Sequence, residues 1–387
     1  MKKITSGIKF KNFFPQKKNL YLTNYLTKLI NQPNEVINSL KKDYKDSYSS
    51  KEIKKYKSKK LFNVIGMGGS SLGAHAIYSF LNTKIKKKFL FYKNLQSNFK
   101  NKKSKNAINL VISKSGNTIE TIVNSNLLVQ KKDKNIFITE NSNNYLRALA
   151  AKLKSEIIDH NNYIGGRYSV LSEVGMLPAE LMGLNPKNFR QLNNLIKNKV
   201  FFENLINNVS AIHKLYKRKK FNSIILNYDE SAKNLFEWYQ QLVAESLGKK
   251  GKGILPIISN VPKDNHSVMQ LFLDGSKNNF FTFFFVRNST SLRINNNSIL
   301  TTKKYLKNKS LEQIIYAQKN ATEKVFSKKK IIFRSFEIIQ KNEKTLGELF
   351  CFFMLETILL GKLLNVNPYD QPSVELIKKE TKKNLIF

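Results

Sequence analysis

The sequence predicts an α/β fold in two units, each a parallel sheet flanked by helices in three layers. Three observations lead there. Short apolar runs at 61–65, 110–113, 136–139 and 156–159 alternate with stretches of helical periodicity, the pattern of parallel strands joined by crossover helices. A second set of the same kind begins near Phe221 with the run Ser223-Ile224-Ile225-Leu226-Asn227. The chain has 387 residues, 41% of them apolar, which is too long for one ordinary core and apolar enough for two.

Taken in order, residues 1–55 read as a lysine-rich helical segment whose apolar stripe is Leu20, Tyr21, Leu26, Leu29 and Ile30. The first α/β unit is expected over 56–190, with helices at 72–81 and 118–128 between its strands. The second is expected over 191–365. It has a helix at 232–247, an apolar run at 280–286 and a long apolar helix at 346–364. A polar tail, 366–387, follows. No short-period repeat and no low-complexity linker interrupts this plan.

The formal charge of +40 invites a nucleic-acid reading. The excess is almost all lysine, however; only Arg147, Arg167, Arg190, Arg218, Arg287, Arg293 and Arg334 are arginine. Readers of nucleic acid favour arginine for bidentate and stacking contacts. The lysines are scattered among asparagines and isoleucines, which fits compositional drift better than a selected patch, so no specific nucleic-acid partner is expected. No apolar run approaches the roughly eighteen residues of a membrane span, and the basic start Met1-Lys2-Lys3 is not followed by a secretory core. With Cys351 alone, neither a disulfide nor a thiolate cluster is available. The expected compartment is the cytoplasm.

Five polar clusters carry the chemistry. Gly66-Met67-Gly68-Gly69-Ser70-Ser71-Leu72-Gly73 lies at a strand-to-helix turn, where backbone N–H groups and the helix dipole favour an anion. Many α/β proteins need such glycines only to reverse the chain. Ser113-Lys114-Ser115-Gly116-Asn117-Thr118 repeats the arrangement with three hydroxyls suited to phosphate oxygens, although Thr118 would also serve as a plain helix cap. The pattern of a nucleotide-triphosphate loop is missing. Gly165-Gly166-Arg167 sets a cation near a helix start, a place that disfavours it unless it has a task.

Gln241 and Glu245 stand at i and i+4 on one helix face, flanked by Trp238, Tyr239, Leu242 and Val243. A carboxylate on a largely buried helix needs a partner or a function; a solvated Glu245 is the alternative. Of His75, His160, His213 and His266, the last opens an apolar segment after a polar loop and gains interest only beside the other clusters. No His, Asp or Glu spacing resembles a metal site, and no cofactor is implied. The tail cluster is Asn367-Pro368-Tyr369-Asp370-Gln371-Pro372-Ser373-Val374-Glu375-Leu376-Ile377-Lys378.

These motifs, with Gln241-Leu-Val-Ala-Glu-Ser246 and His266-Ser-Val-Met-Gln-Leu271, resemble in order and spacing those of the glucose-6-phosphate isomerase family, over roughly residues 60–380. The resemblance implies two sugar-isomerase-type domains with the active site between them and the tail closing over it. It assigns Ser70, Ser113, Ser115 and Thr118 to the substrate phosphate, with Gly69 and Lys114 in the same loops. Glu245 matches the base that moves a proton between C2 and C1, and Gln241 lies in its pocket. Arg167 matches the cation beside the enediolate. His266 matches the ring-opening histidine, contributed by the neighbouring subunit of a homodimer, and Gln371 and Lys378 match the closing tail.

The implied activity is the interconversion of glucose 6-phosphate and fructose 6-phosphate without a cofactor. A bifunctional glucose/mannose phosphate isomerase and a non-catalytic sugar-phosphate regulator are the rival readings. The chain is short for the family, and Ser373 stands where glycine is usual.

Overall fold

A computed structural model describes residues 1–96, 107–288, 290–295 and 299–386. The chain opens with two short strands, β1 (Lys2–Lys3) and β2 (Ile8–Lys11), and this corrects the expectation of a purely helical start. Ile8 and Phe10 turn inward from β2, which joins β11 (Phe333–Ile338) antiparallel, with Phe10 opposite Phe336. Helix α1 (Leu20–Asn31) follows, capped by Asn19. Its buried stripe is Leu22, Leu26 and Leu29, while Leu20 and Tyr21 face outward.

The first sheet holds β3 (Leu61–Ile65), β4 (Lys88–Tyr92), β5 (Ile108–Ile112), β6 (Lys134–Glu140) and β7 (Glu156–His160), in the order β4-β3-β5-β6-β7 and all parallel. Central β5 is buried along its whole length, as a strand covered on both faces must be. Asn63, Asn109 and Asn135 lie side by side on β3, β5 and β6, and their amides bond in a row at 2.8 Å each. β4 has no counterpart among the expected strands because lysines surround it.

The second sheet runs β1-β2-β11-β10-β8-β9, with β8 (Asn222–Asn227), β9 (Leu255–Asn260) and β10 (Asn279–Val286) parallel to one another and to β11. Its crossover helices include α4 (Lys233–Leu247), numbered after α2 (Gly69–Phe80) and α3 (Ile119–Leu128) of the first sheet. The long apolar helix is α5 (Glu343–Leu364). It starts three residues before the apolar run because Asn342 caps it, accepting from Thr345 N–H at 2.9 Å. α5 is buried almost throughout and brings Glu356 to Arg334 of β11. That ion pair is fully buried and is also bonded to Asn208, Tyr239 and Thr282. The tail ends in α6 (Val374–Ile386), whose side chains are exposed.

Candidate active site

In the first sheet the connection from β3 leads outward to β4, whereas the next strand, β5, lies on β3's other side. This reversal opens a crevice at the carboxyl ends of β3 and β5, the usual ligand position of such sheets. The two glycine-containing loops stand there. Gly68 has φ of +51°, the left-handed region where glycine is favoured, and α2 begins at Gly69.

The structure adds a second reason for these glycines, which is close approach. A Cβ on Gly68 would lie 2.7 Å from Gln241 Nε2, and one on Gly69 would lie 2.1 Å from the Gly166 carbonyl carbon. Bare backbone at 68–69 therefore lets helix α4 and the Arg167 turn close on the crevice. Ser70, in the first turn of α2, is half-buried.

In the second loop Ser113 is buried and shares a hydrogen bond of 3.0 Å with the Thr118 hydroxyl at the start of α3. Gly116, at φ of +65°, bends the chain where a Cβ would strike the Asn144 side chain. Ser115 is exposed, and its Oγ accepts from Asn117 N–H. Lys114 donates to the Asn162 carbonyl at 2.7 Å. Burial, together with repulsion from Arg167, lowers its pKa, so the loop's cation is partly desolvated and feels the arginine.

Arg167 is the hub. It lies in a 3₁₀ turn, Gly166–Leu171, and is 2% exposed. Its Nε donates to Ser246 Oγ at 2.8 Å, and Nη1 donates to Gln371 Oε1 at 2.8 Å and to Glu245 Oε2 at 3.4 Å. Nη2 donates to the carbonyls of Pro368 at 2.7 Å and Asp370 at 3.0 Å. All five guanidinium protons are engaged. The positive charge that looked misplaced beside a helix start is thus satisfied by the tail and by the face of α4.

Glu245 is half-buried and paired. Its Oε1 accepts from Gln241 Nε2 at 2.9 Å, its Oε2 faces Arg167, and the side chain is 27% exposed. The acceptor of the Gln241 amide, Oε1, is buried without a partner among the described residues. It is a polar atom left unsatisfied beside the carboxylate. Trp238 Nε1 donates to the Arg167 carbonyl at 3.1 Å and fixes the turn from behind.

The structure thus gathers Gln241, Glu245, Arg167 and Gln371 at the Gly69 end of the crevice, while Lys114 of the Ser113–Thr118 loop is bonded to the Asn162 carbonyl. Two expected residues stand apart from this cluster in the single chain. His266 ends an exposed 3₁₀ turn, Lys263–His266, after β9. Lys378 lies on α6 with its ammonium 2.6 Å from Glu375 of the same helix. Sequence reasoning passed over Tyr168, which directly follows Arg167, and Ser246, the last residue of the Gln241 motif. It also missed the carbonyls of Pro368 and Asp370, since backbone acceptors leave no mark in the residue pattern.

The paired sheets and the crevice between strand ends define the class: a two-sheet protein of the sugar-isomerase fold. A solved structure of a hypothetical protein from Thermus thermophilus superposes with a TM-score of 0.82 at 24% identity, covering 95% of this chain and 94% of that one. A glucose-6-phosphate isomerase from Chlamydia trachomatis superposes with a TM-score of 0.70 at 18% identity, covering 87% and 72%. At the level of sequence, the family model described as phosphoglucose isomerase matches residues 23–385. The glucose-6-phosphate isomerase of Methanocaldococcus jannaschii is 32% identical over 378 residues, 87% of this chain and 88% of that protein. That of Mycoplasmopsis pulmonis is 35% identical over 353 residues, covering 83% and 82%. The chain belongs to the phosphoglucose isomerase family.

Proposed function

We propose that the protein interconverts glucose 6-phosphate and fructose 6-phosphate through ring opening and a cis-enediolate. The observation that carries this reading is the Glu245 carboxylate, held between the Gln241 amide and the Arg167 guanidinium at the mouth of the first sheet. In this reading Glu245 takes the C2 proton and returns it to C1, a general-base step contributing about 10²–10⁴-fold. Arg167 supplies fixed positive charge where the enediolate develops negative charge. Because its protons are already engaged, a substrate oxygen takes a bond from Nη1 by displacing Gln371 or Glu245.

The loops of residues 56–190, with Gly69, Ser70, Ser113, Ser115 and Thr118, hold the remote phosphate and orient the sugar. Residues 191–365 supply the base, and the tail closes the site. His266, entering from a second copy of the chain, and Lys378, once the tail helix swings in, divide the ring-opening proton transfers. A homodimer is therefore part of the proposal. Among the described residues no helix is long and apolar enough to cross a membrane, and we place the enzyme in the cytoplasm with its sugar-phosphate substrate.

The test is an isomerase assay with glucose 6-phosphate, mannose 6-phosphate and glucose, beside a DNA titration at physiological salt. Turnover of glucose 6-phosphate, with free glucose inert, is expected. Mannose 6-phosphate turned over at a comparable rate would point to the bifunctional enzyme. Binding of glucose 6-phosphate without turnover would leave a regulator.

A further inference from the structure

We infer that Ser246 and Tyr168 are positioning residues that lock the Arg167 guanidinium against the base helix and the tail through one closed ring of hydrogen bonds. Ser246 follows the proposed base on α4 and is fully buried, as is Tyr168. Arg167 Nε donates to Ser246 Oγ at 2.8 Å, which is 2.9 Å from Tyr168 Oη. Tyr168 Oη is in turn 3.0 Å from the Pro368 carbonyl, which also accepts from Arg167 Nη2 at 2.7 Å.

Donor and acceptor chemistry fixes the direction of every link. Guanidinium only donates and a carbonyl only accepts, so Tyr168 gives its proton to Pro368 and Ser246 gives its own to Tyr168. Burial pushes the Tyr168 phenol up, which keeps that proton in place. The ring leaves Nη1 as the arm facing Gln371 and Glu245, the edge where the reacting carbons would sit. Without it the guanidinium loses its Nε anchor on α4 and keeps only the Nη1 and Nη2 contacts, and the Pro368 carbonyl loses one of its two donors.

This inference rests on the isomerase reading. Ser246→Ala and Tyr168→Phe each delete one link without adding bulk. Each should lower kcat for glucose 6-phosphate about tenfold or more while KM stays within about threefold, because misplacement by a fraction of an ångström acts on the reacting geometry. In an Arg167→Lys background, which removes the planar fork, Ser246→Ala should change kcat less than about threefold.

Unchanged kcat in both folded variants would overturn the ring, and so would equal losses with arginine and with lysine at position 167. Should Ser246→Ala fail to fold, Tyr168→Phe decides by the same criteria. A wild-type protein inactive on glucose 6-phosphate would sink the isomerase reading and this inference together. An active wild type with indifferent variants would sink the inference alone.

Discussion

At the carboxyl ends of β3 and β5, the first sheet presents Gly66–Gly69 and the hydroxyls of Ser113, Ser115 and Thr118. The second sheet reverses its winding in the same way around β8 and β10, and a cavity of about 340 Å³ lies at that reversal. Its lining is different. After β8 it has Tyr228-Asp229-Glu230 and after β10 Asn288, Thr290 and Ser291, with Glu312 opposite. The neighbouring Arg287 is tied to Glu337 at 3.0 Å and to Glu312 at 3.4 Å and stacks over Tyr316 at 3.9 Å. The carboxylates of Asp229, Glu230 and Glu312 stand beside the hydroxyls of Thr290 and Ser291, and no glycine lines this cavity among the described residues.

Topology thus creates two crevices, and the carboxylates in the second make the first the better suited to an anion. The second sheet instead contributes sideways. Its first crossover helix, α4, packs on α2 and carries Gln241, Glu245 and Ser246 to the first sheet's mouth. The bare backbone at Gly68 makes that approach possible, as Gly69 does for the Arg167 turn.

The largest effect expected from this division concerns assembly. If the second sheet serves its own chain through α4 and a partner through His266, then Glu245→Gln and His266→Ala are each nearly inactive as homodimers. Mixed by co-refolding, they should regain roughly a quarter of wild-type activity, because a mixed twofold dimer has one site with both lesions and one with neither. No recovery despite confirmed subunit exchange would confine His266 to its own chain.

Stability should separate the sheets as well. The second sheet buries the Arg334–Glu356 pair, and Glu356→Gln leaves a buried guanidinium without its counter-charge, which costs about 3–5 kcal/mol. Asn109→Ala in the first sheet breaks two amide–amide bonds and a long contact of 3.4 Å to the Asp133 carboxylate, and should cost about 1–3 kcal/mol. Denaturant titration of both variants ranks them, and a reversed order would contradict the account of the second core.

At the crevices themselves, replacing Ser113 and Thr118 together by alanine should raise KM about tenfold with kcat nearly unchanged. Asp229→Asn in the second crevice should alter neither beyond about twofold. A purely catalytic loss in the first variant would remove the phosphate assignment.

The smallest effect is a pH slope. His75, on α2, stacks on Phe91 at 4.2 Å, and burial pushes it down from 6.5 to about 4, with Lys93 and Lys233 adding to the shift and Glu237 opposing it. Its folded pKa lies below its unfolded one, so the unfolded chain takes up the proton first. Stability from this residue is intact above about pH 6.5 and is lost as pH falls towards 4. His75→Phe keeps the stack and should flatten the fall of Tm between pH 6.5 and 5; an unchanged slope would acquit the histidine.

Much of this was legible in the residues. The runs at 61–65 and 280–286 mark strands because each is apolar but for one residue, Asn63 and Thr282, and the two first-sheet loops announce themselves by glycine and hydroxyl spacing. Strand β11, Phe333-Arg334-Ser335-Phe336-Glu337-Ile338, was hidden. It is buried at every position, but three of its six residues are polar groups satisfied by distant partners, so no period shows. β2 was hidden for another reason. Four residues of Ile-Lys-Phe-Lys inside a lysine-rich stretch gain their meaning only from pairing with β11, more than 300 positions later in the chain.

In the site, the i, i+4 spacing of Gln241 and Glu245 left a paired and a solvated carboxylate both open, and the engagement of Arg167 by two tail carbonyls needed the fold. The placement of Lys378 on an exposed helix likewise belongs to tertiary structure rather than to motif.

The central claim is that Glu245 is the base that moves the C2 proton, and isotope exchange reads it most directly. Glucose 6-phosphate deuterated at C2, incubated in ordinary water with wild-type enzyme, should lose part of its label to solvent and yield fructose 6-phosphate with the remainder at C1. With Glu245→Gln, both solvent exchange and transfer should fall by about a thousandfold while glucose 6-phosphate still binds. Exchange persisting near the wild-type rate in that variant would show that another group carries the proton, and the site as described here would lose its base.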